Sequence, residues 1–413
     1  MKHFEIRAGS LFAEDVPLER IAAEYGTPTF VYSRAALVSA HAGYAAALAG
    51  RDAMLCYAVK SNSNLAIMNV FARLGTGFDI VSGGELSRVL AAGGDPGKVV
   101  FSGVGKTRDE MRAALTQGIY CFNVESEAEL YRLAEVAGSL GKRAPIALRV
   151  NPDVDPKTHP YISTGLKCNK FGVPITGAQA LYRAAAELPQ LEIRGIACHI
   201  GSQLLDPAPV AEAAAKVVAL AEALNRDGIE LRHLDLGGGL GIRYDDEDVP
   251  STQHYLAPLL EVLAGRKERL LLEPGRSLVG NAGVLLSRVE YLKRGEDRNF
   301  AIIDAAMNDL ARPALYDAWH RIAEVKPRDR VERYDVVGPV CESGDFLGRA
   351  RDLAIEEADL VAIFSAGAYG MTMSSNYNTR PRAAEVMVDG AVCHLIRERE
   401  RVEDLYAGER LLP

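Results

Sequence analysis

Lys60 follows directly on the apolar run Leu55-Cys56-Tyr57-Ala58-Val59. Taken alone, a lysine is most often a surface charge. At the end of a buried run it has a second use. Partial desolvation depresses its pKa and frees the amine to form a Schiff base with a carbonyl. Further along, Gly237-Gly238-Gly239 closes another apolar run. Most glycine runs mark only a tight turn, but they also let backbone N–H groups approach a phosphate. His199 offers a flat ring that can stack on an aromatic ligand or sit satisfied in a core, and Ser202 close by offers a hydroxyl to a phosphate. Glu273 can cap a turn or hold a proton on a ring nitrogen. Gly105-Lys106-Thr107 resembles the end of a nucleotide P-loop, but Val100 stands where that motif needs its first glycine, which rejects it.

These side chains need a scaffold that brings them to one place. Short β-rich runs at 54–58, 78–81, 99–101, 120–124, 146–150, 195–200, 234–236 and 270–272 alternate with stretches of helical spacing, such as 85–92 and 211–224. Strand and helix in alternation are the mark of a parallel sheet, and eight such units predict a closed (β/α)8 TIM-like barrel. Barrels of this kind place function at the C-terminal ends of their strands. That register holds Lys60, Asp79, Ser102, Glu125, Arg149, His199, Gly237, Gly238, Gly239 and the stretch Glu273-Pro274-Gly275-Arg276. Strand ends are polar where they meet water, which accounts for Ser102 and Glu125 but less well for Lys60. The turn-rich piece 151–169 reads as a long loop at a strand's C-terminal end. After residue 275 the texture changes. Runs at 283–292, 300–303, 333–337, 360–364 and 385–388, separated by turn signals, predict a mostly antiparallel β domain.

The bulk numbers narrow the partners. The chain has 413 residues, 48% apolar and 25% charged, with a net charge of −8. Nucleic acids and anionic membranes select basic faces, so neither is expected as a partner. The six cysteines form no C-x-x-C pair, which leaves zinc and redox motifs without support. No apolar stretch approaches the roughly 20 residues that span a bilayer, and no signal peptide is visible. A cytoplasmic location is the expectation, with no metal.

Together the motifs resemble one family. Tyr57-Ala58-Val59-Lys60-Ser61-Asn62 is similar to the cofactor-lysine motif of the barrel-type (fold type III) pyridoxal-phosphate decarboxylases, with Ser61 where many relatives have alanine. His199-Ile200-Gly201-Ser202-Gln203, the three glycines and Glu273-Pro274-Gly275-Arg276 resemble that family's other barrel motifs. Arg312-Pro313-Ala314-Leu315-Tyr316, Gly338-Pro339-Val340-Cys341-Glu342-Ser343-Gly344-Asp345, and Gly367-Ala368-Tyr369-Gly370 resemble the diaminopimelate decarboxylase family in particular.

The resemblance implies an alanine-racemase-like barrel at 31–277 and a C-terminal β domain at 278–413, to which the segment 1–30 contributes a strand. It implies pyridoxal 5'-phosphate on Lys60, with Asp79, Arg149, His199, Ser202, Gly238, Gly239, Glu273, Gly275, Arg276 and Tyr369 around the cofactor. It implies loss of CO2 from meso-2,6-diaminopimelate to give L-lysine, with an anionic Glu273 keeping the ring nitrogen protonated and Cys341 as general acid. The distal end of that substrate carries a carboxylate and an ammonium. Arg276 and Arg312, with the Tyr316 hydroxyl, would serve the first and Glu342 the second, and Tyr369 would also touch the substrate. A homodimer with shared active sites follows from the same resemblance. Decarboxylation of ornithine, arginine or carboxynorspermidine is the nearest alternative, and amino acid racemisation a more distant one.

Overall fold

The computed structural model describes residues 3–155 and 170–413. The chain forms two compact units. One comprises His41–Gly241 and Asp248–Ser277, the other Met1–Ala40, Ile242–Glu247 and Leu278–Pro413.

The first unit is the barrel. Its eight strands are Ala53–Ala58, Gly77–Ile80, Val99–Phe101, Cys121–Val124, Ala144–Asn151, Leu191–Ala197, His233–Asp235 and Arg269–Leu272. Each pairs in parallel with the next, and the last pairs with the first through Leu271 opposite Met54, which closes the cylinder. The strands are short and almost wholly buried, as a sheet covered on both faces requires. Hydroxyl residues start the helices that follow. Ser82 accepts from the Glu85 N–H, Ser126 from the Glu129 N–H, and Thr107 forms a capping box with Glu110. Each cap fixes where a strand-end loop stops, and so how far its side chains reach over the mouth.

Two expectations about this unit change. The sixth strand was expected to run to 200. It ends at Ala197, the last residue paired with both neighbouring strands, beyond which the chain carries His199 to the Gly238 N–H. Ser102 and Glu125 do not meet water; both are buried. The Glu125 carboxylate accepts from Arg149, from the Gly103 N–H and from the Gly172 N–H. Of the loop read at 151–169, residues 156–169 lie outside the described residues.

The second unit is built on a mostly antiparallel sheet. Its order is Phe346–Leu353, Glu332–Val337, Asn299–Ile303, Gly283–Arg294, Thr29–Ser33, Ala384–Asp389, Val392–Arg397. Among the described residues only two pairs in it are parallel, Asn299–Ile303 with Glu332–Val337 and Thr29–Ser33 with Ala384–Asp389. Leu360–Ile363 pairs with Gly283–Arg294 and with Ile322–Glu324. The N-terminal hairpin Phe4–Arg7 and Ser10–Ala13 and the helix Leu18–Tyr25 pack on this sheet. Phe4, Leu11, Leu18 and Ile21 join Val31, Val284, Leu286, Phe364 and Val386 in one core.

Candidate active site

The turn Val59–Ser61 follows the first barrel strand and presents Lys60 at the C-terminal mouth. Its Nζ lies 2.7 Å from Asp79 Oδ2, at the end of the second strand. The lysine side chain is 41% exposed while Asp79 is sealed from solvent. The amine is thus reachable from outside, and the acid that steadies it is not.

Across the mouth the seventh and eighth strands bring two more carboxyls together. Asp235 is buried, and its Oδ1 accepts the Gly237 N–H at 3.0 Å. The Asn123 amide donates to Asp235 Oδ2 at 3.2 Å, to Ser102 Oγ at 3.2 Å and, at 3.4 Å, to Glu273 Oε1. Burial pushes the Asp235 carboxyl up to about 6. Burial, with the Asp235 and Asp79 carboxylates beside it, holds Glu273 well above the usual carboxylate range. Two acids this close resist ionising together, and the pull toward the protonated form is the stronger at Glu273.

The glycines serve close packing. A Cβ on Gly238 would lie 2.4 Å from the Glu273 carbonyl oxygen, and one on Gly237 2.6 Å from His199 Nδ1. Gly239 adopts φ +118°, open to glycine but strained for other residues. The Gly238 N–H donates to His199 Nδ1 at 3.3 Å, which puts the ring proton on Nε2. Burial, helped by the charges of Arg149 and Lys60, holds the His199 pKa well below its ordinary value, so the ring is neutral at physiological pH. Arg149 reaches Glu125 at 3.0 Å and covers the Phe171 ring at 4.8 Å. Arg276 is buried, and its Nε and a terminal nitrogen both donate to Ser202 Oγ at 3.2 Å. Gly275 packs against Ser61 and Ala58, beside the lysine turn. Lys106, of the rejected P-loop, is buried and bound to Gly103 O, Asn123 O and Glu129.

The remaining candidates belong to the β unit. Arg312 is buried; it donates to the Tyr244 hydroxyl at 2.6 Å and faces His320 Nε2 at 3.3 Å. His320 Nδ1 lies 2.8 Å from Phe364 O and donates to it, which leaves Nε2 free to accept from the guanidinium. Tyr316 ends the same short helix, Arg312–Tyr316, and is half-buried. Cys341 and Glu342 are exposed on a loop. That loop is held by Asp345, whose carboxylate accepts the Val340 and Met307 N–H groups, and by Asn378, which accepts the Cys341 N–H at 2.8 Å. Tyr369 sits at φ +57°, a left-handed conformation.

Sequence reasoning missed Asp235, Asn123, Tyr244 and His320. Asp235 left a trace, an acid inside the apolar run Leu234-Asp235-Leu236. The other three left none, because each is defined by a partner far away in the chain.

Would a phosphorylated pyridine aldehyde fit here? An accessible amine waits at the mouth, and a glycine turn that side chains would fill lies on the seventh strand. Asp79 Oδ1 is buried with no hydrogen-bond partner among the described residues, and the Asp79, Asp235 and Glu273 carboxyls outnumber the one amine, Lys60, whose charge acts on Glu273. A ring with a protonated nitrogen supplies what that acid cluster lacks.

Residues 34–280 match the pyridoxal binding domain of the pyridoxal-dependent decarboxylases. The chain is 61% identical to the diaminopimelate decarboxylase of Pseudomonas aeruginosa over 100% of both chains, and 58% identical to that of Vibrio cholerae over 98% of each. Among solved structures, diaminopimelate decarboxylase from M. jannaschii in complex with L-lysine aligns with a TM-score of 0.94 and 39% identity, covering 99% of this chain and 98% of that one. The Helicobacter pylori enzyme with L-lysine aligns with a TM-score of 0.92 and 43% identity, covering 94% and 98%. The chain belongs to the pyridoxal-dependent decarboxylases, within the diaminopimelate decarboxylase family.

Proposed function

We propose that the protein removes CO2 from meso-2,6-diaminopimelate to yield L-lysine. One observation carries this reading. The relatives named for this activity match the chain over nearly its whole length, the barrel and the β unit alike. The L-lysine in the related structures is the product this reaction would leave.

When bound, pyridoxal 5'-phosphate supplies an electron sink for the bond that breaks at the substrate's α-carbon. Lys60 would hold it covalently through Nζ, and Asp79 would keep that amine in place. Glu273 would hold a proton at the ring nitrogen. Alanine racemases of this fold use an arginine there, so an acid favours decarboxylation. His199, fixed and neutral, would offer its flat face. Gly238, Gly239, Gly275, Ser202, Arg276 and Tyr369 would hold the phosphate. Arg312, Tyr316 and Arg276 would read the distal carboxylate, Glu342 the distal ammonium. Cys341 would return a proton to the α-carbon. The exposure of Cys341 and Glu342 supports their acting in the site of a second subunit, and hence a homodimer. The free, scattered cysteines support a reducing, cytoplasmic setting.

The test is CO2 release from a panel of diaminopimelate, ornithine, arginine and carboxynorspermidine. Diaminopimelate should lead in kcat/KM by at least a hundredfold. A lead for any other substrate overturns the assignment.

A further inference from the structure

We propose that Asp235 is a positioning residue for Glu273: bridged by the Asn123 amide, the two carboxyls keep one proton between them in the cofactor-free barrel and release it to the ring nitrogen of the pyridoxal phosphate that binds there. The proposal rests on the role given to Glu273 above, and it deepens that role.

The geometry comes first. Asp235 is fully enclosed, with Oδ1 committed to the Gly237 N–H and Oδ2 to Asn123. The same Asn123 nitrogen reaches Glu273 Oε1, so one amide ties the ends of the seventh and eighth strands together. Both carboxyls thus lie within reach of one amide nitrogen, and two acids that near each other in a buried cluster favour keeping a proton on one of them.

The surroundings fix the count at one. Asp79 from the second strand adds a further negative charge, and Lys60 adds the nearest positive one. Burial, with the Asp235 charge adding to it, keeps the thiols of Cys56 on the first strand, Cys121 on the fourth and Cys198 beyond the sixth protonated. His199 is neutral. Arg149 is engaged with Glu125. Removing the last proton would leave three carboxylates against one amine at a largely buried cluster. Once a ring nitrogen faces Glu273, the balance shifts. The O–H bond at Glu273 breaks and an N–H bond forms. The pair goes from charge −1 to −2, and the nitrogen from neutral to +1. No proton need come from solvent. Asp235 thus ensures that the proton is there before the cofactor arrives.

Infrared spectroscopy of the cofactor-free protein at neutral pH tests this without any amino acid substrate. Wild type should show a protonated-carboxyl stretch that Glu273→Gln lacks. Pyridoxal phosphate should remove that band. An analogue with C–H in place of the ring nitrogen should bind and leave it. In Asp235→Asn the band should titrate away about one pH unit lower or more, since the like charge that holds the proton is gone. If the band is missing from wild type, survives pyridoxal phosphate, vanishes with the analogue, or titrates unchanged in Asp235→Asn, the proposal fails. Should Asp235→Asn not fold, the wild-type spectra with cofactor and analogue decide by themselves. Failure of the substrate panel would leave these spectra untouched, so the two failures are distinguishable.

Discussion

Lys60 and Asp79 are an uneven pair, one side chain 41% exposed and the other at 0%. Removing the exposed partner strands a buried carboxylate, which in a fully enclosed pair costs about 3–5 kcal/mol. Because half of this pair sees solvent, we expect about 1–2 kcal/mol for Lys60→Ala in cofactor-free protein. Urea melts should show much of that loss recovered in Lys60→Ala/Asp79→Ala. The same Lys60→Ala variant should lose the visible absorbance of bound cofactor, and a retained band would remove Lys60 from its role. Asp235 gives a pH signature. Its folded pKa is raised to about 6 from an ordinary value near 3.9, so the folded chain binds this proton more tightly than the unfolded chain. That contribution is complete below the lower value and fades as pH rises through the upper one. Asp235→Asn should therefore be more favourable at pH 7 than at pH 4 relative to wild type, by about 3 kcal/mol at most. Arg312→Ala should lower kcat/KM for diaminopimelate roughly 10- to 100-fold, the worth of a charge-assisted hydrogen bond. A substrate without a distal carboxylate should be affected far less. Lys60, Glu273 and Arg312 were legible because each stands in a motif or at the end of an apolar run. Asn123 and His320 were not, because an amide or imidazole is ordinary until its partner across the fold is known.

The strand ends turn these residues into a site, and glycine sets how closely the ends approach. Gly238→Ala would drive a Cβ to 2.4 Å from the Glu273 carbonyl. Neither backbone can yield easily, so we expect about 1–3 kcal/mol of destabilisation and faster loss of cofactor on gel filtration. Gly177→Ala is the matched control. It lies in the helix Ile175–Ala186 with nothing within 4 Å of the added carbon, and it should stabilise by about 0.5–1 kcal/mol. The eight barrel strands were legible because each is an apolar run bounded by helical spacing. Phe346–Leu353 escaped notice because Arg349, Arg351 and Asp352 interrupt its apolar residues. Val392–Arg397 is an edge strand with exposed or half-buried side chains throughout, so it offered no buried alternation to read.

At the scale of the molecule, the assembly itself is open to test. If Cys341 serves a partner's site, mixing inactive Lys60→Ala and Cys341→Ala chains should restore up to about a quarter of wild-type activity at statistical exchange, because one heterodimer site would be intact. No recovery, with subunit exchange shown by mass spectrometry, would count against a shared site. The two-unit organisation was legible as a change of texture near residue 275. The excursion of Ile242–Glu247 into the β unit was not, since six residues carry no texture of their own.

The strand Thr29–Ser33 lies between Gly283–Arg294 and Ala384–Asp389. A ribosome makes it early and both of its neighbours late. At about 5–20 residues per second, roughly 20–70 s pass before the second neighbour is complete. Through that interval the strand and the hairpin before it have no sheet to enter, while the barrel strands that follow them can already pair. A segment made before the barrel is thus settled only after it, and its burial waits on the last strands of the β unit.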